Sequence, residues 1–256
     1  MTDPEHPQES RRAGGGPESL PPAVARVEQH YDEHAAHPGM DTGGRDAVLA
    51  LPITRAILDW AGRGERVLDL GCHHGDITVL LGEAGNEVVG VDLPRMVEVA
   101  RARHGLEAIA HDLNRPFPFE ERRFDLVIAA SVLDDIVDDV GFLRECRRVL
   151  VPGGRLVVVV PNEVSLFRRV QALLGRSSRD RWTPTGYHGL HRYTLRGIRA
   201  LLEGTGFEVE EVRKCPKRHS RIPLRYTVER LLPATFATDL ALRARRREDA
   251  PNGTHS

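Results

Sequence analysis

The chain has 256 residues, 40% of them hydrophobic and 29% charged, with a formal net charge of -1. That length suits one large α/β core with tails. The balanced charge and 5% aromatic content argue against nucleic acid, which asks for a basic field and rings to stack on. Only two of the 36 basic residues, Lys214 and Lys217, are lysine, which reflects either a GC-rich coding sequence or an arginine surface. The longest apolar run, Leu156 to Pro161, is far short of a membrane span.

The first segment, residues 1–22, is polar, carries Gly14-Gly15-Gly16 and several prolines, and has no apolar stretch of signal-peptide type. A disordered tail is expected there and another over 246–256, with one domain over 23–245 between them. Three widely spaced cysteines (Cys72, Cys146, Cys215) suit a reducing compartment, so a cytoplasmic location is expected.

From Ala47 to Trp60 apolar residues recur at helical spacing, and Gly62 and Gly64 supply a stop. Strand and helix then alternate: strand Arg66–Leu70, helix Asp76–Ala84, strand Glu87–Val91 and helix Pro94–Arg103, with Pro94 in the first turn where its missing N–H is harmless. Further on come strands Glu107–Ala110 and Asp125–Ala130, helix Phe142–Leu150, a turn at Val151-Pro152-Gly153-Gly154 and strand Arg155–Val160. The last is apolar almost throughout, as a parallel strand covered on both faces must be. Helices are expected over Glu163–Leu174 and Thr194–Glu203, the latter capped by Thr194 and ended by Gly204. Late strands are expected at Phe207–Val212 and Thr238–Ala244. There is no internal repeat.

The most informative stretch is Arg66-Val67-Leu68-Asp69-Leu70-Gly71-Cys72-His73-His74-Gly75, followed by Val88-Val89-Gly90-Val91-Asp92. Each half is a short apolar run that ends in an acid. Open α/β sheets bind ligands outside the carboxyl ends of their strands, where strand order reverses. A Gly-bearing turn there lets backbone N–H groups approach a ligand closely. The acid closing the second strand is placed for the two hydroxyls of a ribose. A dinucleotide site asks for Gly-x-Gly-x-x-Gly, but His73 and Asp76 stand where glycines would be needed. With Asp69 just ahead of the turn, a diphosphate would meet repulsion, whereas a ligand bearing an amine and a sulfonium would not.

At these residues the chain resembles the class I S-adenosylmethionine-dependent methyltransferases, whose first motif reads Val-Leu-Asp-Leu-Gly-Cys-Gly-x-Gly. His73 departs from the family's middle glycine, a substitution that is tolerable if its φ stays negative. The resemblance runs well from Leu49 to Val160 and more weakly to Arg243. It implies a three-layer, Rossmann-like α/β fold, mostly parallel with one antiparallel strand near the C-terminus and helices on both faces. It also implies S-adenosyl-L-methionine as methyl donor. By the same resemblance, Asp69, Gly71, Cys72 and Gly75 would hold the methionine portion and Asp92 the ribose. Leu93 and Met96 would pack the adenine, although Met96 also reads as plain helix core. Asp112 would accept from the adenine amino group with Leu113 N–H alongside, or else serve as a turn acid. Ala130 and Ser131 would line the cleft below the sulfonium.

A hydroxyl acceptor needs a base within hydrogen-bond reach. Asp134 and Asp135 follow the fourth strand, and His188 and His191 lie in the loop Trp182–Tyr193. Tyr31 belongs to an N-terminal helical lid expected over 23–62, and residues 175–193 form a substrate-side loop. Among these, His191, Asp134 and Tyr31 are the catalytic candidates. No metal is expected, because the adjacent His73 and His74 diverge and His30, His34 and His37 read as an exposed cluster. The basic stretch Arg213 to Arg230 reads as a solvated amphipathic cover, with membrane contact as the alternative.

The sequence therefore predicts methyl transfer to a small-molecule acceptor at oxygen, with no nucleic-acid partner. Two rivals remain open: a cofactor-binding partner or regulator without catalysis, and a nicotinamide dehydrogenase.

Overall fold

The computed structural model describes residues 44–175, 190–216 and 231–248. A seven-stranded sheet runs in the order β3-β2-β1-β4-β5-β7-β6. The strands are β1 Arg66–Leu70, β2 Glu87–Asp92, β3 Ala108–Ala110, β4 Phe124–Ala130, β5 Leu150–Pro161, β6 Phe207–Cys215 and β7 Asp239–Arg246. The pairs among β1 to β5 are parallel. β7 inserts antiparallel to both β5 and β6, which makes it the one reversed strand of the sheet. Order reverses between β1 and β4, so the carboxyl ends of β1, β2 and β4 border one crevice.

Side chains of each central strand alternate between two cores. Leu68, Leu70, Val127, Ala129, Leu156 and Val158 join one cluster, which α5 Asp139–Val149 and α7 Leu195–Gly204 cover through Phe142, Leu143, Cys146, Ile198 and Leu202. Val67, Leu126, Ile128, Val157 and Val159 face the other, under α2 Pro52–Trp60 and α3 Asp76–Glu83. Burial on both faces is what makes these strands read as unbroken apolar runs.

Several boundaries differ from expectation for physical reasons. The helix expected over Ala47 to Trp60 is two helices, α1 Arg45–Leu49 and α2, because Pro52 forces Leu51 into an extended conformation (φ -70°, ψ 131°). The turn expected at Val151–Gly154 lies inside β5. There the register against β4 jumps from Phe124↔Leu150 to Leu126↔Arg155, and Gly153 takes φ 72°. The helix expected from Glu163 begins only at Leu166 (α6 Leu166–Leu173), because Glu163 N–H donates to Tyr193 O beside an Asn162–Tyr193 bridge. α7 continues through Gly204 and reverses at Gly206, φ 91°. β7 runs through the buried Arg246, one residue past the domain edge expected at 245.

Candidate functional site

After β1 the chain turns beneath the end of β4. Gly71 takes φ 73°, and a Cβ there would lie 2.9 Å from Val132 Cγ2, so only glycine fits the passage. The N–H groups of Gly71 and Cys72 both donate to Val91 O, which fastens the turn to β2. Gly75 caps α3 from the left-handed region (φ 81°), where a Cβ would collide with Leu106. His73, expected at negative φ, adopts +50° instead. In that left-handed conformation its N–H donates to Asp92 Oδ2 at 2.7 Å.

Both strand-end acids are buried. Asp92 is 9% exposed and accepts on Oδ1 from Leu93 N–H at 2.7 Å as well as on Oδ2 from His73. Burial raises its pKa against those two donors. Asp69, 3% exposed, accepts from the Thr78 hydroxyl at 2.6 Å. Burial pushes its carboxyl up to about 7, with the Thr78 bond opposing and the Asp92 charge adding. The same corner raises the Cys72 thiol, mainly through burial and then through both acids. Burial, followed by His74, lowers the His73 imidazole to about 4. The crevice thus holds two desolvated carboxyls whose ionised forms call for a positive partner.

Met96, on α4 Pro94–His104, is 1% exposed and sits in the helix core, while Leu93 just before it is half-buried. Asp112 folds onto its own turn: Oδ1 accepts from Asn114 N–H at 2.9 Å, and Oδ2 lies 3.6 Å from Arg115 Nε. Leu113 is buried beside it. Ser131 is exposed, with φ 59°, and donates its N–H to Val159 O.

On the β4 side a short 3-10 turn, Leu133–Asp135, brings Asp134 and His191 together, because Asp134 O accepts from the N–H groups of Leu190 (2.6 Å) and His191 (3.0 Å). His191 Nε2 lies 3.3 Å from Val137 O, and Nδ1 lies 3.9 Å from Asp139 Oδ2. Tyr193 OH donates to Asp139 Oδ2 at 2.9 Å; burial first, and Asp139 second, raise its phenol well above the ordinary range. Tyr31 and His188 lie outside the described residues, as do His30, His34 and His37. Of the basic stretch, Arg213 and Lys214 lie on β6, where Arg213 pairs with Asp59 and Glu211.

Thr78 and Asp139 escaped the sequence reading. Thr78 could have been found from its place in the first turn of α3, just after the strand that carries Asp69 one residue from its end. Asp139 carried no signal, because its partner Tyr193 is 54 positions away.

Residues 68–158 match the family model described as a methyltransferase domain. The "Probable S-adenosylmethionine-dependent methyltransferase" of Mycolicibacterium smegmatis is 30% identical over 149 residues, which cover 58% of this chain and 54% of that protein. A ubiquinone biosynthesis O-methyltransferase of Azorhizobium caulinodans is 32% identical over 158 residues, covering 59% and 61%. The crystal structure of an S-adenosylmethionine-dependent methyltransferase from Thermotoga maritima superposes with TM-score 0.66 at 18% identity, over 88% of this chain and 100% of that one, a likeness of fold. Residues 68–158 are thus similar to a methyltransferase domain, and the fold is like that of an S-adenosylmethionine-dependent methyltransferase. The chain spans about half the length of the curated relatives it matches.

Proposed function

We propose that this protein transfers the methyl group of S-adenosylmethionine to a small-molecule acceptor, at oxygen. The observation that carries the reading is the pair of desolvated carboxyls, Asp69 and Asp92, ending adjacent parallel strands at the reversal of strand order. The residues present fit the donor. Each oxygen of Asp92 holds one backbone N–H, which leaves each an acceptor position for one ribose hydroxyl. Asp69 supplies negative charge toward the cationic end. Gly71, Cys72 and Gly75 present backbone at the mouth of α3, whose dipole favours the methionine carboxylate by about 0.3–1 kcal/mol. Leu93, with Met96 behind it, would pack the adenine, Asp112 and Leu113 N–H would meet its polar edge, and Ser131 would border the methyl.

The donor supplies an already activated methyl on a sulfonium. What remains for the chain is to align the acceptor and exclude water, a kind of positioning that can be worth about 7–11 kcal/mol. Asp134 and His191, joined through their backbones, and Tyr31 are the candidates to take the acceptor proton. The oxygen reading draws support from the relatives named as ubiquinone biosynthesis O-methyltransferases. No helix among the described residues is long and apolar enough to cross a membrane, and we place the protein in the cytoplasm on its three free cysteines.

Calorimetry with S-adenosylmethionine, followed by mass spectrometry of phenolic and catecholic acceptors incubated with a deuterated methyl donor, tests the reading. Tight binding and a labelled ether product are expected. Binding of a nicotinamide dinucleotide in place of S-adenosylmethionine would overturn the reading, and donor binding without transfer to any acceptor would leave a silent cofactor-binding protein.

A further inference from the structure

His73 stands in the first motif where a glycine is usual, and its backbone occupies the left-handed region at φ 50°. A non-glycine residue there is uncommon, and histidine is among the side chains that tolerate it best. Two of its contacts bear on the position. The His73 N–H points at Asp92 Oδ2 at 2.7 Å, a short bond to a buried carboxylate. The imidazole lies against that of buried His74, with ring centroids 3.9 Å apart.

Asp92 has little else to hold it. Its second oxygen accepts from Leu93 N–H, which belongs to the next residue and follows the carboxylate wherever the strand end goes. The His73 N–H comes from nineteen positions away, across the turn, and is the bond that fixes the carboxylate plane relative to the glycine loop. With one N–H on each oxygen, each oxygen keeps an acceptor position, one for each of two vicinal hydroxyls. The chain is fixed on both sides, by Cys72 N–H on Val91 O and by the helix that Gly75 caps, so a change of residue 73 to negative φ would have to swing the 72–73 peptide, and with it the N–H that holds Asp92.

We propose that the left-handed backbone of His73 positions Asp92 to accept the vicinal diol of a nucleoside, a role resting on the assignment of Asp92 as the ribose acceptor. His73 is a positioning residue and acts through Asp92. The imidazole is not itself required. Glycine reaches the same φ without strain, so the usual glycine and this histidine converge on one backbone conformation. A β-branched residue cannot adopt it without severe strain.

The test is calorimetric affinity for S-adenosylmethionine and S-adenosylhomocysteine in His73→Gly, His73→Asn and His73→Val, each also built on Asp92→Asn. Glycine and asparagine should bind within about threefold of the parent. Valine should weaken binding about tenfold or more, the effect of losing a hydrogen bond to a charged group, and that penalty should shrink on Asp92→Asn. If the valine protein fails to fold, His73→Ala takes its place in the series. A second readout stands whether or not any nucleoside binds. The 13C-detected titration of the Asp92 carboxyl should move upward in the valine or alanine protein and stay put with glycine. Valine and alanine proteins that bind and titrate like the parent would overturn the proposal. So would a glycine protein as impaired as valine, or a valine penalty undiminished on Asp92→Asn. A parent that binds no S-adenosylmethionine, with the Asp92 titration responding as described, would sink the functional reading and leave the positioning role standing.

Discussion

The two ends of the sheet handle charge in opposite ways. At the carboxyl ends of β1 and β2, Asp69 and Asp92 are desolvated with hydroxyl and amide donors, and burial raises both carboxyls. Against β6 and β7, charge is cancelled in place. Trp60, 2% exposed, donates from its indole to Glu211 at 2.8 Å, while the guanidiniums of Arg213 and Arg243 lie 4.7 and 5.8 Å from its ring. Arg213 also pairs with Asp59 and Glu211, and Arg243 with Glu210 and Glu211. Arg155 donates to Trp60 O and pairs with Glu65. One end is balanced internally and serves the fold. The other holds ionisable acids without a cationic partner of comparable closeness among the described residues, an arrangement that lowers stability and favours a positively charged ligand.

The sharpest way to break this contrast is Trp60→Ala. It empties a core site and strands Glu211, so unfolding free energy should fall by about 3–5 kcal/mol, read by urea denaturation. S-adenosylmethionine affinity of the folded fraction should stay unchanged, and a comparable loss of affinity would erase the distinction between the two ends.

Asp69→Asn probes the other end through pH. Because the folded carboxyl titrates near 7 against an ordinary value of 3.8, the folded state holds a proton that the unfolded chain releases. The contribution of Asp69 is therefore fully present below about pH 3.8 and is lost as pH rises through about 7. The parent should lose stability over that window relative to Asp69→Asn, by an amount of the order of a few kcal/mol. Thermal midpoints measured from pH 5 to 8 check this, and parallel curves would refute it. A cationic donor favours the ionised form, so S-adenosylmethionine affinity in the parent should rise with pH over the same range.

Asp92→Asn should weaken S-adenosylmethionine binding by about 1.5–3 kcal/mol, the worth of hydrogen bonds to a charged group, read by calorimetry. The smallest effect belongs to the exposed rim of the arginine cluster. Asp59→Asn removes a partner of Arg213 that is itself 63% exposed, and should cost about 0–1 kcal/mol, diminishing further in high salt.

Much of this was legible in the chain. β1 was predicted residue for residue, and β2, β4, α3 and α4 to within a residue at either end, because double-sided burial writes near-continuous apolar runs and Gly75, Pro94 and Gly105 punctuate them. The insertion of β7 between β5 and β6 was less legible, since the family resemblance supplied the reversed strand and no local signal orders strands that pair across 78 to 90 positions. His73 shows the same limit in miniature. A negative φ was expected there, and the folded chain instead takes φ 50° with its N–H on a carboxylate nineteen residues away, a contact no local signal could show.

The sequence alone determined the alternation of elements, the glycine turn and the acids that end two strands, because these depend on periodicity and on local backbone freedom. The tertiary structure decided which groups share a desolvated corner. It set Asp69 beside Thr78, turned Asp112 in upon its own loop and joined His191 to Asp134 through main-chain bonds. Hydrogen-bond geometry and loss of water act through space, and distance in space is fixed only once the sheet has assembled.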